Sequence, residues 1–370
     1  MNVADRAAAE TDAEDGVWDV IVIGAGIAGL AAAGALIAAG CRVLVVEKSR
    51  GIGGRMATRR IGAAVCDHGA QFFTVRGRAF GGLVAEAHEA GAVAVWCDGF
   101  ARAETVAGPV AAAVDGHARW RGARGMTDLP KRLAALAVGR DHPGRCDIRT
   151  AAEATSVTVA DGRVQVAFAT EVLTAAAAIL TAPVPQSLTL LAAVDIEPAA
   201  RQELEAVAYD PCFTLMLVLD RPSRVPPPGA IQFAADTTGD IAWLADNFQK
   251  GISPVPALTV HASGSFSREH FDHPPAEVAA LLLEQVRPWL DGDPATCVVE
   301  QSLHRWKFAQ PTTLVEQPLV AVCHAPPIVC CGDAFAGPKV EGAAASGLAA
   351  ARWVVRMLAD REAGDQEEGA

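Results

Sequence analysis

The chain has 370 residues, a formal net charge of −12 from 31 basic and 43 acidic side chains, and 51% hydrophobic but only 5% aromatic residues. That length suggests two domains rather than one, and so acidic a surface disfavours nucleic acid and anionic membranes as partners. Nine cysteines without a Cys-x-x-Cys pair argue against a disulfide framework or a metal site and fit a reducing cytoplasm, so no metal is expected.

Residues 1–16 are alanine-rich and acidic and read as a flexible tail, because a signal peptide has a basic start and an apolar middle. No stretch offers the roughly 20 uninterrupted apolar residues of a membrane helix. Trp18–Ile23 is a short apolar strand, Leu30–Ala39 a helix of small residues, and Arg42–Val46 a second strand, together a βαβ unit. Phe80, Leu83, Val84 and Ala87 fall at helical spacing. Ala92–Trp120 alternates in a β-like way, and Thr127 reads as the N-cap of a helix facing inward with Leu133, Leu136 and Ala137. Ala154–Phe168 is a hairpin turning at Asp161-Gly162, and Ala176–Leu180 a buried strand. The proline-rich section that follows has strands at Phe213–Leu219 and Ala257–His261 and an amphipathic helix at Pro275–Leu290. Ile328–Cys331 is a last strand, its paired cysteines a buried strand end, and Gly342–Leu358 a long helix.

Between the first strand and its helix lies Gly24-Ala-Gly26-Ile27-Ala28-Gly29. This is the Gly-x-Gly-x-x-Gly spacing of a dinucleotide site: the first glycine makes the turn, the second admits a pyrophosphate, and the third packs helix on strand. The helix N-terminus supplies unpaired N–H groups for the phosphates. Glu47 ends the second strand, where its carboxylate can accept hydrogen bonds from the hydroxyls of an adenosine ribose, with Lys48 beside it. From Arg50 to Arg78 there are six arginines and one acid, Asp67. That local excess reads as an anion site, with Arg55 at a pyrophosphate and other arginines available to an anionic substrate.

At the other end, Cys331-Gly332-Asp333 closes a strand, and Val340-Glu341-Gly342-Ala343 opens a helix almost without side-chain bulk. A flat ring could rest there against Gly342, Ala343 and Ser346, with the helix N-terminus stabilising negative charge on a reduced flavin and Asp333 holding a hydroxyl.

Together Val20–Glu47, Gly51–Arg60, Asp67–Thr74, Gly125–Leu133, Leu303–Ala309 and Gly332–Gly347 resemble the FAD-dependent amine-oxidase superfamily, and more narrowly the renalase family, especially its bacterial members. The most specific part is the pairing of Gly-Gly-Arg-Met-Ala-Thr-Arg with Asp-His-Gly-Ala-Gln-Phe-Phe-Thr. The resemblance implies an α/β fold: a discontinuous Rossmann-like FAD-binding domain (17–82, 124–188 and 297–360) with an inserted mixed β-sheet substrate domain (83–123 and 189–296), and flexible residues at 361–370. It implies FAD bound non-covalently by Gly24, Gly26, Ile27, Ala28, Gly29, Glu47, Lys48, Gly54, Arg55, Met56, Gln71, Phe72, Phe73, Asp333, Val340, Glu341 and Ala343. Ala154 stands by the adenine where the family usually has valine. His261, Trp306 and, nearby, Trp243 are expected to face the flavin, and Phe266 replaces a tryptophan expected in that segment.

Bacterial members of that family oxidise misreduced isomers of NAD(P)H, with oxygen taking the electrons to give hydrogen peroxide, and this chain is expected to do the same. A dihydropyridine passing hydride to flavin becomes aromatic, so no protein acid or base is obligatory. Amine oxidation is the rival activity, disfavoured because Tyr209 is the only tyrosine and a tyrosine pair facing the ring is impossible. A flavin-binding protein without turnover is the third reading.

Overall fold

The computed structural model describes residues 17–139, 142–234 and 239–368; the expected tail at 1–16 lies outside them. Two sheets organise the chain. The first is built on the parallel order β17 (Pro327–Cys330), β10 (Val172–Leu180), β1 (Val17–Ile23), β2 (Arg42–Val46) and β7 (Arg145–Arg149), numbered along the chain. Antiparallel β16 (Val320–His324) flanks β17, and the hairpin of β8 (Ser156–Ala160) and β9 (Arg163–Ala167) joins along β10. The hairpin turns at Asp161 and Gly162, with φ of 51° and 68°, the left-handed pair that matches strand twist in a two-residue turn.

Val20, Ile21, Val22 and Ile23 are all buried because both faces of this sheet are covered, as parallel strands require. Val20, Val22, Val43 and Val45 pack under the helices α1 (Ile27–Ala38), α2 (Arg78–Glu89), α3 (Asp128–Val138) and α9 (Val340–Glu368). Ile21, Ile23, Leu44 and Val46 face the β8–β9 hairpin and the helices α4 (Val184–Leu190) and α5 (Pro198–Glu205).

The second sheet runs β15 (Val298–Pro311), β11 (Tyr209–Leu219), β14 (Ala257–Ala262), β13 (Ile241–Asp246), β12 (Ala230–Phe233), β5 (Val93–Ala103) and β6 (Ala111–Gly122). Its strands alternate with period two. Phe213, Leu215 and Leu217 of β11, with Leu258 and Val260 of β14, pack against Phe266 of α6 (Gly264–Glu269), α7 (Pro275–Val286) and Cys297 of α8 (Pro294–Cys297). Met216, Val218 and Ala257 point the other way, onto the ribbon of β3 (Thr58–Ile61) and β4 (Ala64–Asp67).

Sheet membership departs from the expected domain limits in three places. Strand β15 pairs along β11, so Val298–Pro311 belongs to the second sheet although 297–360 was assigned to the cofactor domain. Helix α2 packs Phe80, Val84 and Ala87 into the first core, across the expected limit at 82/83. Leu191, Val194, Ala200 and Leu204 also belong to the first sheet's core, across the limit at 188/189. In each case an amphipathic segment follows the nearest apolar face rather than a composition change. Helix α9 continues to Glu368, so most of 361–370 is helical rather than a loose tail. Helix α7 stops at Val286 and passes into a single 3-10 turn, Arg287–Trp289. Among the described residues no helix is long and apolar enough to cross a membrane.

Candidate active site

A cavity of about 1690 Å³ lies between the two sheets. That is larger than the ~300–1,000 Å³ of most small-ligand sites and leaves room for a dinucleotide with a second molecule beside it. Of the residues expected to contact cofactor or substrate, the cavity gathers all but Gly29, Glu341, Gly342 and Ser346.

Its first wall is the β1–α1 turn. Gly24 has φ +110°, and a Cβ there would meet the Thr181 hydroxyl at 2.4 Å; a Cβ on Gly29 would meet the Gly24 carbonyl oxygen at 2.0 Å. Gly29 therefore sits behind the turn and permits the close helix–strand contact. A Cβ on Gly26 would meet nothing within 4 Å, and no side chain caps α1. An open backbone groove before an uncapped helix N-terminus is what a pyrophosphate needs. The Glu47 carboxylate accepts from the Ala25 N–H (3.0 Å) and the Ser49 N–H (2.9 Å), one to each oxygen, which holds it at the cavity with acceptor capacity to spare.

Arg55 and Asp333 meet in a two-pronged ion pair, with N···O distances of 2.5 and 2.6 Å. Arg55 also donates to the Phe308 carbonyl at 3.3 Å. It thereby joins the turn after β2, the end of β17 and β15, three segments far apart in sequence. Tyr209 packs against Phe308 beneath this guanidinium and is not part of the cavity wall; burial first, and then Asp333, raise its pKa.

Three expected contacts are corrected. The Glu341 carboxylate accepts the backbone N–H groups of Arg76 and Gly77; at the start of α9 it ties the loop before α2 and does not line the cavity. Ser346 is fully buried, accepts from the Gly332 N–H at 2.9 Å and donates to the Pro318 carbonyl at 2.6 Å. A Cβ on Gly342 would meet the Gly337 oxygen at 2.2 Å, so this glycine serves loop packing, and Val340 and Ala343 are left to face the cavity. Phe73 reaches the cavity mainly by its backbone, since its ring packs edge-on to Phe80 in the core. Thr127 precedes α3 but does not cap it; its hydroxyl accepts from the Thr58 N–H and donates to the Met56 carbonyl.

The opposite wall is the second sheet. Strand register aligns His304, Thr214, His261, Trp243, Gln232 and Arg102 in one row across β15, β11, β14, β13, β12 and β5. All six line the cavity. Trp306, two residues along β15, adds its indole, which donates to the His68 carbonyl at 2.9 Å. His68 stacks on His304 with ring centroids 4.9 Å apart. At the other end Phe72, Phe100 and Trp243 contact one another at centroid distances of 4.8–5.6 Å, with the Arg119 guanidinium against both phenylalanines.

Burial favours the neutral form of these imidazoles. The His68 pKa falls to about 3, through burial and then the neighbouring His304. That of His261 falls to about 4, through burial and then the charge of Lys250. His304 is lowered by burial and by Arg59. His68 and His261 stay neutral in the folded protein but take up a proton in the unfolded chain below about pH 6.5. The unfolded state therefore binds more protons as pH falls from 6.5 towards 4, and stability falls by about 1.4 kcal/mol per pH unit for each histidine so affected. Thermal melts should show Tm dropping over that window, less steeply in His68→Gln; equal slopes would remove His68 from the account.

Beneath this wall lies a polar cluster that sequence reasoning did not single out. Lys250 and Asp67, both 0% exposed, pair at 2.6 Å. Lys250 also donates to the Gln71 carbonyl at 2.6 Å and lies 4.8 Å from the centre of the Trp96 ring. The second Asp67 oxygen accepts from the Thr58 hydroxyl and the Met126 N–H. Asn247 and Thr259 complete it, accepting from the Asp67 N–H and donating to the Asp67 carbonyl. A lone lysine after Asp-Asn-Phe-Gln carries no motif; only Asp67 stood out, as the sole acid among arginines. The in-register row was foreshadowed by Thr214 and Gln232, each a polar residue at alternate spacing within an apolar strand.

Buried polar atoms without a protein partner include His68 Nδ1, Gln71 Oε1 and Trp243 Nε1, all on residues of the cavity wall. Such orphans are rare and imply a polar occupant. With the open groove at Gly26, they fit a dinucleotide carrying a polar, flat ring system. Among the described residues no cluster of three His, Cys, Asp or Glu could hold a metal ion. Cys330 and Cys331 are buried and burial raises both thiols, the first to about 12.

Comparison with known proteins bears on the cofactor. Residues 22–87 match the NAD(P)-binding Rossmann-like domain, and residues 80–355 match the flavin containing amine oxidoreductase family. Among solved structures, cyclohexylamine oxidase from Brevibacterium oxydans IH-35A superposes with a TM-score of 0.67 at 16% identity, over 92% of this chain and 99% of that one. Wild-type putrescine oxidase bound to putrescine gives 0.66 at 15%, over 92% and 99%. An oxidoreductase from Methanosarcina mazei gives 0.63 at 14%, over 89% and 99%. At such identities the likeness is one of fold.

Proposed function

The chain belongs to the flavin-containing amine oxidoreductase family and is an FAD-dependent oxidoreductase; from that premise we propose that it oxidises misreduced 2- or 6-dihydro isomers of NAD(P)H to NAD(P)+, with oxygen reduced to hydrogen peroxide. The supporting observation is the row across the second sheet. A neutral imidazole, His261, and an indole, Trp243, occupy its middle, His304 stands at one end, and Arg102, with no carboxylate partner among the described residues, stands at the other. A flat, uncharged dihydropyridine suits the middle, and the phosphates of a dinucleotide suit the Arg102 end.

Bound FAD supplies a two-electron acceptor beside that row. Gly26 and the N-terminus of α1 hold its pyrophosphate, Glu47 its adenosine end, and Arg55 with Asp333 the part nearest β17. Trp243, Phe72 and Phe100 exclude water at one end, and Trp306, braced on the His68 carbonyl, does so at the other. The ring becomes aromatic on losing hydride, so no histidine has to move a proton, and neutral His68 and His261 help set a flat, uncharged surface.

Amine oxidation is the competing reading, kept open by the family and by the named substrates of the superposed oxidases. A protonated amine is poorly served by a wall carrying Arg102 and Arg119 and lacking any tyrosine. Anaerobic mixing of the yellow protein with borohydride-derived isomers of NADH and NADPH should bleach the flavin, and air should restore it. Putrescine and cyclohexylamine should leave it oxidised. Bleaching by the amines alone would reject the proposal.

A further inference from the structure

We propose that Lys250 is a positioning residue: from the buried pair with Asp67 it fixes the turn from His68 to Gln71, and with it the carboxamide that Gln71 presents at the cavity wall. The amide nitrogen of Gln71 donates to the carbonyls of Asp67 (2.7 Å) and Gly69 (3.0 Å). Two carbonyl acceptors dictate which end of the amide faces them, and the other end, Oε1, has no partner in the protein. The same nitrogen lies 3.3 Å from His261 Nε2 in the row, so a turn that slips moves both Gln71 and its neighbour on β14.

What holds the turn is Lys250. It donates to the carboxylate at the start of the turn and to the Gln71 carbonyl at its end, while Thr214 and Trp306 both donate to the His68 carbonyl between them. A Cβ on Gly69 would meet the Arg55 carbonyl oxygen at 2.0 Å, so the turn also lies flush against the Arg55 backbone. A buried ion pair is a poor source of stability compared with apolar side chains of the same volume. Its value here is geometric: β4, the Asn247–Ser253 loop and the cavity wall are locked in one register. Lys250 does not itself line the cavity, and acts through Gln71.

The proposal rests on FAD occupying the cavity, and the two can fail separately. Wild-type protein that binds no FAD would fail the cofactor placement. For Lys250, two variants are measured as apo and FAD-loaded protein: Asp67→Asn with Lys250→Met, which removes both charges, and Lys250→Arg, which keeps the positive charge but replaces the single ammonium bridging Asp67 and the Gln71 carbonyl by a larger, planar guanidinium. Both are expected to keep an apo Tm near wild type, to bind FAD about tenfold more weakly, the scale of one hydrogen bond to a charged group, and to change the visible circular dichroism of the bound flavin. Adding Gln71→Leu to the neutral pair should weaken FAD binding no further than Gln71→Leu alone. Wild-type affinity and dichroism in either folded variant would overturn the role, as would effects that multiply. Failure of both variants to fold would make the pair structural only, and would overturn it equally.

Discussion

Gly26→Val protein is expected to fold with a Tm close to wild type and to emerge colourless, even with FAD supplied. The backbone at Gly26 is extended, with φ −77°, so any residue can adopt it, and a Cβ there enters open space. The valine would occupy the groove where a pyrophosphate has to approach the backbone. Losing that approach and the amides behind it should cost about 4 kcal/mol or more, roughly a thousandfold in affinity. The same substitution at Gly29 should behave oppositely. Its Cβ would lie 2.0 Å from the Gly24 oxygen, so helix and strand must separate and the apo protein itself should melt early. Measured FAD dissociation constants with apo Tm values separate these outcomes. A yellow Gly26→Val protein of normal affinity would remove the cofactor from this groove.

Arg55→Leu should carry the next largest effect, and on two properties at once. The substitution leaves the Asp333 carboxylate without its partner, at 16% side-chain exposure beside Tyr209, and unties Phe308 of β15 from the turn at Gly54–Met56. Because both groups retain some contact with solvent, about 2 kcal/mol of stability is at stake, less than for a fully buried pair. FAD binding should weaken by about a hundredfold, as expected where a guanidinium contacts a phosphate. Adding Asp333→Asn removes the stranded charge. The double variant should recover most of the lost stability, read as urea midpoint, but not the affinity for FAD. Recovery of both would mean that Arg55 serves only to neutralise Asp333.

The two ends of the first cavity wall were legible from local pattern. An apolar strand, three glycines at fixed spacing, a helix of small residues and an acid after the second strand are each dictated by neighbours a few residues away. The Asp161-Gly162 hairpin is of the same kind, since a two-residue turn with positive φ selects those residues. The errors share a cause as well. Glu341, Ser346 and Thr127 were assigned by their place at a helix start, yet their side chains are used by segments that arrive from elsewhere: the loop at Arg76–Gly77, Pro318, and the Met56–Thr58 backbone. Strand β15 was placed with its sequence neighbours because nothing within Val298–Pro311 names β11 as its partner.

Read alone, the sequence determined the βαβ unit and the glycine turn, because these follow from spacing and period along the chain, whereas the flavin-dependent class of chemistry rested on the resemblance of several separated motifs to one superfamily. Which polar residues stand side by side was decided only by tertiary structure. The row from His304 to Arg102 depends on the register of six strands, and the Lys250–Asp67 pair joins residues 183 positions apart. Register and long-range pairing are set by packing across the whole sheet, and a one-residue slip would carry every one of those side chains to the opposite face.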